Sequence, residues 1–255
     1  MTVLSVFRAD LHLHTCLSPC GDLDMSPRGI VEAAQKKKLD IIAVCDHNTA
    51  ENVGAVFRAA AGAGRPRVLA GLEISTVEEV HILALFDTPR KAERMQNFVY
   101  AHLPPRTNRP EIFGEQVVAN ENDEVEGFND RLLIGATDLD LESVVAEIHK
   151  QNGLAIASHV DRQAFSLLGQ LGFVPEGLNL DGFEVSAFGA VDKILDQYPA
   201  LAERPFISNS DAHYLDDIGS AYTEYFLAAP ELDEIKMALR GEGGRKIGRI
   251  VNRRS

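Results

Sequence analysis

Short runs of apolar residues alternate along this chain with segments in which apolar residues recur at helical spacing. This alternation is typical of an α/β fold, whose functional site lies at one rim of the sheet. Seven strands are predicted, near residues 6–14, 40–46, 67–74, 80–86, 154–159, 182–186 and 206–211. Helices are predicted from 26 to 38 and near 50–61, 89–102, 140–151, 189–198 and 231–240.

Two local signals refine this pattern. Ser26 suits the N-cap of the first helix and Pro27 its first turn, because a serine oxygen accepts a free amide and proline carries no amide hydrogen. Only seven residues separate Glu73 from His81, and a crossover between parallel strands normally needs about a dozen. The fourth strand is therefore predicted to run antiparallel to the third, so that His81 enters at the rim where Glu73 leaves.

The pattern breaks between about 104 and 138. Alternating residues at 116–119 and 124–128 flank an Asn- and Asp-rich centre, which predicts a surface hairpin. We treat the segment as an insertion. It either covers the site as a lid or is a solvated loop without a role in catalysis, and the residues alone leave both readings open.

Composition indicates one soluble, enzyme-sized domain over 1–255. With 45% hydrophobic residues the chain can bury a full core, and its formal net charge of −13 disfavours a stable complex with nucleic acid or an anionic membrane. No run approaches the roughly 18 apolar residues of a membrane span, and the start lacks the layout of a signal peptide. The three cysteines suggest no disulfide framework. We therefore expect a cytoplasmic protein.

Six of the eight histidines lie at or near the ends of predicted strands, each beside a carboxylate or another histidine: His12, His14, His47, His81, His159 and His213. In an extended strand residues i and i+2 face the same way, so His12 should project with His14, and Asp211 with His213. Imidazoles and carboxylates together suit Zn²⁺, Mn²⁺ or Fe²⁺. The pattern predicts a site for two or three divalent metal ions, and no function is assigned to His102 or His149.

These residues also carry a family resemblance. In order, and over nearly the whole chain, the motifs resemble those of the PHP (polymerase and histidinol phosphatase) family: His12-x-His14, Cys45-Asp46-His47, Gly71-Leu72-Glu73, His81-Ile82-Leu83, His159 and Ser210-Asp211-Ala212-His213. The resemblance implies an α/β fold, a distorted (β/α)7 TIM-like barrel whose rim holds two or three divalent metals and hydrolyses phosphoesters.

The resemblance also implies roles for individual residues. It places His12, His14, Glu73 and Asp211 around one metal and His47 at a second, with Glu73 bridging. His81, His159 and His213 complete the cluster, and Glu73, Asp211 and His213 are the implied catalytic groups. Asp46 is either a ligand or a group that orients an imidazole. Arg162 and His159 would bind the substrate phosphate, and the alternative for Arg162 is an ordinary salt bridge with Asp161.

One loop departs from the family pattern. Many relatives carry Ser-Asp-Gly shortly after the paired histidines, whereas this chain reads Leu17-Ser18-Pro19-Cys20-Gly21-Asp22. Either Cys20 or Asp22 must then supply the missing ligand if the second metal is to be filled, and the alternative is a solvent-facing Asp22 with an empty second site. Asp22 is preferred, because a thiolate in an N/O site would bias selection toward soft metals and expose the site to oxidation, and Gly21 gives the chain freedom to turn Asp22 inward.

The function expected from this resemblance is hydrolysis of a small phosphorylated metabolite or nucleotide by a metal-activated hydroxide. Amidohydrolase chemistry is one alternative, because rim histidine clusters also activate water against amides. A 3′-end exonuclease acting on short oligonucleotides is another. A module that has lost catalysis and only binds partners is the non-enzymatic alternative, and the retained ligands weigh against it.

Overall fold

The computed structural model describes residues 3–62 and 64–253. Nine strands form one mixed sheet in the order β11-β10-β1-β2-β3-β4-β7-β8-β9, and β5 and β6 form a separate hairpin. The expectation of a single domain over 1–255 stays a prediction, and its residues 1, 2, 63, 254 and 255 lie outside the described part. The strands are β1 (Ser5–Leu13), β2 (Ile41–Val44), β3 (Arg67–Ser75), β4 (His81–Phe86), β5 (Val117–Ala119), β6 (Val125–Phe128), β7 (Leu154–Ala157), β8 (Gly182–Val185), β9 (Phe206–Ser208), β10 (Tyr222–Leu227) and β11 (Lys246–Val251).

The main sheet curls into a nearly closed barrel, which confirms the expected fold class. Strand β9, at one end of the sheet, is joined to β10, next to the other end, by a side chain: the Ser208 amide donates to the Thr223 hydroxyl at 2.8 Å, and that hydroxyl donates to the Ser208 carbonyl at 3.0 Å. Alternate residues of the strands, including Leu11, Ala43 and Ile156, form one buried cluster with apolar residues of the last helix. Because sheet side chains alternate between faces, this cluster fills the barrel interior.

Helices cover the outside of the barrel. Ser26 caps the first helix as predicted, accepting from the Gly29 amide at 3.2 Å, and Pro27 occupies the first turn. Apolar residues such as Ile30, Met95 and Val144 pack against the outward face of the strands. The helices are α1 (Pro27–Lys36), α2 (Val53–Ala59), α3 (Pro89–His102), α4 (Pro110–Phe113), α5 (Leu141–Lys150), α6 (Leu167–Leu171), α7 (Val191–Gln197) and α8 (Leu232–Arg240).

The sheet has nine strands where the sequence predicted seven. The two that were missed, β10 and β11, pair antiparallel beyond β1. Polar residues interrupt both strands, as Thr223 and Glu224 do in β10 and Lys246 and Arg249 do in β11, so their apolar runs are too broken to stand out. The short helices α4 and α6 were missed because helices of four or five residues leave almost no periodic signal.

Two finer predictions are confirmed. Strand β4 pairs antiparallel with β3, with His81 opposite Ser75, so His81 and Glu73 meet at one rim. The hairpin expected within 104–138 is formed by β5 and β6, and it leans on the loop after β1 through the Val117 amide, which donates to the Cys16 carbonyl at 3.0 Å. Over residues 3–62 and 64–253, no helix combines the length and the apolar character that crossing a bilayer requires.

Candidate metal centre

Eight ionisable side chains meet at one rim of the barrel. The neighbouring strands β1, β2, β3 and β7 end at this rim and β4 begins there, which brings together residues far apart in sequence. All are buried except His213, which is partly exposed. The set comprises His12, His14, His47, Glu73, His81, His159, Asp211 and His213.

Glu73 lies at the centre of this cluster. Its Oε2 atom is 3.1 Å from Nδ1 of His47, and its Oε1 atom is 3.1 Å from Nδ1 of His81 and 3.2 Å from Nε2 of His159. The His12 ring nitrogen Nε2 is 3.4 Å from the same Oε1. One carboxylate therefore faces four imidazoles, which suits a bridging ligand.

His12 and His14 point their Nε2 atoms at each other across 3.2 Å. The Nδ1 atom of His12 faces the Glu184 carboxylate at 3.0 Å, so Nδ1 carries a hydrogen there. The Nδ1 atom of His14 lies 2.9 Å from the Ser18 hydroxyl, which already donates to Asp46 and so accepts from His14. In the neutral rings both Nε2 atoms then present lone pairs, with an oxygen of Asp211 only 3.1 Å from His14.

These residues fit divalent metal ions. Lone pairs aimed at one another repel unless a proton or a metal ion lies between them, and several buried atoms of the cluster lack a hydrogen-bond partner, among them Nδ1 of His47, Nδ1 of His81 and Oε1 of Glu73. Nitrogen and carboxylate oxygen ligands suit Zn²⁺, Mn²⁺ or Fe²⁺. Three sets have ligand atoms within 4.8 Å of one another: His12 with His14 and Glu73, His47 with Glu73 and His81, and His14 with His47 and His213.

Protons and carboxylates balance charge in the metal-free cluster. Burial opposes the charged form of His12, but Glu184, Asp211 and Glu73 together raise its pKa well above the usual value. Burial also opposes ionisation of Glu73, yet His81 and His12 hold the pKa of that carboxyl well below its usual range. The pKa of Asp211 is held low against burial by His12 and His14. Both carboxylates are thus ionised, as metal ligands must be.

Glu184 was not predicted from the sequence. It lies in the middle of β8 with no exposed surface, and Asn209 donates to its Oε2 atom at 3.3 Å while holding the Leu11 amide through its own Oδ1 at 2.8 Å. A charged residue is almost never fully buried unless it is paired. A single carboxylate within the apolar run Gly182-Phe183-Glu184-Val185 is the signal that could have found it.

Asp46 supports the cluster from behind. Its Oδ1 atom accepts from the Thr15 amide and the Ser18 hydroxyl, both at 2.7 Å, and its Oδ2 atom accepts from the Thr15 hydroxyl at 2.8 Å. Both carboxylate oxygens are therefore engaged away from the imidazole cluster. Of the two roles left open for Asp46, the structure favours orientation of His14 through Ser18.

The segment after β9 departs from the extended strand that the sequence predicted. β9 ends at Ser208, and Asp211 has a φ of 50°, in the left-handed region. Asp211 and His213 are thus not paired as alternate residues of a strand. Instead His213 donates from Nδ1 to the Asp211 carbonyl at 2.8 Å. His159 also has a positive φ, of 27°, and such backbone positions are typical of functional sites.

Arg162 pairs with Asp211 and not with Asp161. Its Nη2 atom lies 2.6 Å from Oδ2 of Asp211, while its side chain stays 45% exposed. Asp161 instead accepts from the Ser186 amide and hydroxyl, each at 2.7 Å. The alternative of a local salt bridge with Asp161 is therefore wrong, and the guanidinium lies at the mouth of the histidine cluster.

The loop after β1 brings Cys20, and not Asp22, to the cluster. Cys20 lines the cavity together with His47 and His213, and although burial raises the pKa of its thiol, the two imidazoles lower it to about 6. Asp22 accepts from the Asp24 amide at 2.9 Å in an exposed turn. The Gly21 amide donates to the Ser18 carbonyl at 2.8 Å, closing a turn so tight that a Cβ on Gly21 would lie 2.5 Å from the Thr15 carbonyl oxygen.

A cavity of about 300 Å³ opens onto these groups. Ile134 and Phe165 form its apolar wall, and neither was predicted from the sequence. The Phe165 ring stacks on His81 with centroids 5.0 Å apart, and Ile134 belongs to the 104–138 insertion. The insertion therefore contributes a residue to the cavity wall, while its role as a lid stays a prediction. The cavity is of a size that holds small organic ligands.

The two histidines left without a function lie outside the cluster. His102 pairs with Asp138 and His149 with Asp181, each across 2.8 Å. Both are hydrogen bonds between a helix and the loop beside it.

Comparison with known proteins agrees with this geometry. The PHP domain model matches residues 10–170, and a PHP-associated model matches residues 197–242. A curated relative, the uncharacterized protein YqxK of Bacillus subtilis, is 24% identical over 274 residues, covering 94% of this chain. The alignment covers only 63% of YqxK, so this chain is shorter than that relative.

Two solved structures share the fold. The lesion-specific endonuclease PfuEndoQ from Pyrococcus furiosus superposes with a TM-score of 0.75 at 18% identity, over 97% of this chain and 59% of that one. A candidate metal-dependent phosphoesterase from Bifidobacterium adolescentis has a TM-score of 0.57 at 20% identity, over 81% of this chain and 87% of its own. The domain match spans well over half of the chain and includes most of the histidine and carboxylate cluster, so the chain belongs to the PHP domain family.

Proposed function

We propose that this chain is a metal-dependent phosphoesterase that hydrolyses a small phosphorylated metabolite or nucleotide. The observation that carries the proposal is the position of Arg162, a half-exposed guanidinium 2.6 Å from Asp211 at the mouth of a buried imidazole and carboxylate cluster. An arginine in this place offers a planar, charged donor fork to a phosphoryl group bound at the cluster. Membership of the PHP domain family supports the same chemistry.

The ligand sets follow from the distances. We assign His12, His14, Glu73 and Asp211 to one ion and His47, Glu73 and His81 to a second, with Glu73 shared. His159 and His213 complete the cluster from the segments after β7 and β9. In the loop after β1 the geometry favours Cys20 over Asp22 as a further ligand, since Cys20 lines the cavity with His47 and His213 while the Asp22 carboxylate accepts from the Asp24 amide. Divalent ions held there would lower the pKa of bound water toward about 7 and so supply hydroxide near neutral pH.

The protein's own groups orient the reactants. Glu184 holds the His12 tautomer that leaves Nε2 free, and Ser18 does the same for His14. Arg162 would bind the phosphoryl oxygens as negative charge shifts toward the leaving group. His213 is 24% exposed at the cavity and keeps its Nδ1 hydrogen on the Asp211 carbonyl, so its Nε2 atom faces the reacting groups.

Two alternative functions would use the same metal-activated water: amide hydrolysis and action on nucleic acid. Amide hydrolysis would use the same cluster but would not need the exposed charge of Arg162. Action on nucleic acid is supported by the fold likeness to the endonuclease, while the net charge of −13 weighs against extended contact with a phosphate backbone.

A substrate panel tests the proposal. Metal-free protein reloaded with Zn²⁺, Mn²⁺ or Fe²⁺ would be assayed against phosphomonoesters, single-stranded oligonucleotides and cyclic amides. We expect phosphomonoester turnover that depends on metal and is lost in His12→Ala. Full turnover by the chelated protein, or turnover of amides alone, would overturn the proposal.

A further inference from the structure

A second cavity adjoins the metal centre on the side of the insertion. Its volume is about 370 Å³, and it lies between the end of β3, the segment after α3 and residues 132–136. Ile134 and Phe165 line both this cavity and the one over the metal cluster, so the two cavities meet along these side chains. A substrate whose phosphoryl group lies at the cluster can therefore extend past Ile134 and Phe165 into this space.

Apolar side chains form most of the wall of this second cavity. Besides Ile134 and Phe165, they come from the segment after α3, from α4 and from the insertion: Leu103, Pro104, Phe113 and Leu132. None of these side chains is fully buried, so a ligand would remove more of their surface from water. Arg106 and Glu79 also line the cavity, and their opposite charges leave it without net charge. The wall therefore favours an uncharged, apolar ligand.

The two residues shared by the cavities are held in place. Phe165 has a φ of 58°, which is rare for a bulky side chain, and its carbonyl accepts from the His81 amide at 3.0 Å. The Asn48 amide group donates to the carbonyls that flank Ile134 in the chain, those of Leu133 and Gly135, each at 2.8 Å. The passage between the cavities is therefore formed before a ligand binds.

One buried hydroxyl in the wall lacks a partner. Ser75 lines the second cavity and is only 2% exposed, yet its Oγ atom makes no hydrogen bond within residues 3–62 and 64–253. Its backbone amide is fixed by Oδ1 of Asn48 at 3.1 Å. Buried polar groups are normally hydrogen-bonded, so an unpaired hydroxyl at a cavity favours a ligand with a polar atom at that point.

Resting on the proposed function, we propose that the second cavity binds the leaving group of the phosphoester. The group that fits is uncharged and largely apolar: an alkyl or aryl alcohol with one polar atom that reaches Ser75. In hydrolysis the oxygen of the activated water bonds to phosphorus, the bond from phosphorus to the ester oxygen breaks, and a proton of that water goes to the ester oxygen. The second cavity then holds the alcohol product.

Calorimetric binding of alkylphosphonates to the metal-loaded chain tests this inference without turnover, because their carbon–phosphorus bond replaces the ester bond. Hexylphosphonate is compared with methylphosphonate, which has the same charged head but lacks the chain. Each methylene removed from water is worth about fourfold in affinity, so we expect hexylphosphonate to bind at least about tenfold more tightly. Phe113→Ala should reduce this preference by removing part of the wall, and Ala136→Leu should reduce it by filling the cavity.

Ile112→Ala is the matched control, since Ile112 is 55% exposed in the same helix as Phe113 and lies outside the cavity lining. It should keep the wild-type preference. Equal affinity of the wild-type chain for both phosphonates, or an equal loss in Ile112→Ala and Phe113→Ala, would overturn the inference. Metal-dependent hydrolysis of para-nitrophenyl phosphate, measured in parallel, decides the proposed function separately.

The Ser75 contact has its own test. Phosphonates with a terminal hydroxyl on chains of increasing length place that hydroxyl at increasing depth in the cavity. We expect one chain length to bind the wild-type chain more tightly than Ser75→Ala, while hexylphosphonate binds both proteins equally. An identical series of affinities in the two proteins would overturn the assignment of Ser75 to the leaving group.

Discussion

Glu184 Oε2 lies 3.0 Å from Nδ1 of His12, and neither side chain has any exposed surface. This contact fixes which nitrogen of His12 faces the cluster, because an ionised carboxylate can only accept the hydrogen. Glu184, which lies on the far side of His12 from the cluster, thus directs the Nε2 lone pair of His12 toward the proposed metal site. Such supporting carboxylates commonly contribute a factor of about 10 to 100 in metal affinity.

The first prediction concerns that supporting role. Glu184→Gln should lower metal affinity by about tenfold or more while the protein stays folded, because the neutral amide makes His12 less basic and no longer dictates its tautomer. Competition with a coloured chelator measures the affinity directly. Glu176→Gln is the control, since Glu176 is exposed and distant in sequence from every proposed ligand. Unchanged affinity in Glu184→Gln would assign Glu184 to packing alone.

The second prediction is that metal ions stabilise the fold. Ions that bind the assembled cluster but not the unfolded chain should stabilise it by about 2.7 kcal/mol at a free concentration of 100 times Kd. Thermal unfolding with and without chelator should therefore show a higher Tm for the loaded protein. His102→Ala should keep this shift and His12→Ala should lose most of it. Equal Tm values for the loaded and chelated wild-type protein would contradict a metal-organised site.

The third prediction separates substrate binding from metal binding. Arg162→Ala should weaken substrate affinity or turnover by about 1.5–3 kcal/mol, the usual range for a charged hydrogen-bond partner, without lowering metal content. Steady-state kinetics and metal analysis of the same sample measure both. Arg90→Ala, an exposed arginine of α3, should behave like the wild-type protein. If a metal-loaded Arg162→Ala protein had wild-type kinetics, Arg162 would have no role in substrate binding beyond its contact with Asp211.

The fourth prediction decides between the two loop residues. Metal loading should protect the Cys20 thiol from an alkylating reagent, because coordination draws electron density from the sulfur and lowers its nucleophilicity. Cys16 and Cys45 are buried, so Cys20 dominates the reaction in the folded protein. Cys20→Ser should bind less metal and Asp22→Ala the normal amount. Equal alkylation rates with and without metal, together with metal loss in Asp22→Ala, would restore the assignment to Asp22.

Much of the site could be predicted because its residues carry local signals. The alternation of His12 and His14 and the short link before His81 each follow from strand geometry. The positions of Glu184 and Cys20 in the site depend on distant partners. Glu184 reaches His12 because β1 lies beside the segment after β9. Cys20 reaches the cluster through a turn whose hydrogen bonds form only when the loop packs. The pairing of Arg162 with Asp211 joins residues 49 positions apart. Only the closed barrel brings these residues together, so no local sequence pattern indicates the contacts.

The hydroxyl of Thr223 carries a further consequence. It joins β9 to β10 where no backbone ladder runs, so side-chain hydrogen bonds hold this seam of the barrel wall. Ser208 at the seam lies three residues before Asp211. Opening of the seam would therefore displace a proposed ligand, and an ion that holds Asp211 would keep the wall shut. Amide hydrogen exchange over 206–208 should then slow when metal binds, making this short strand an intrinsic reporter of occupancy.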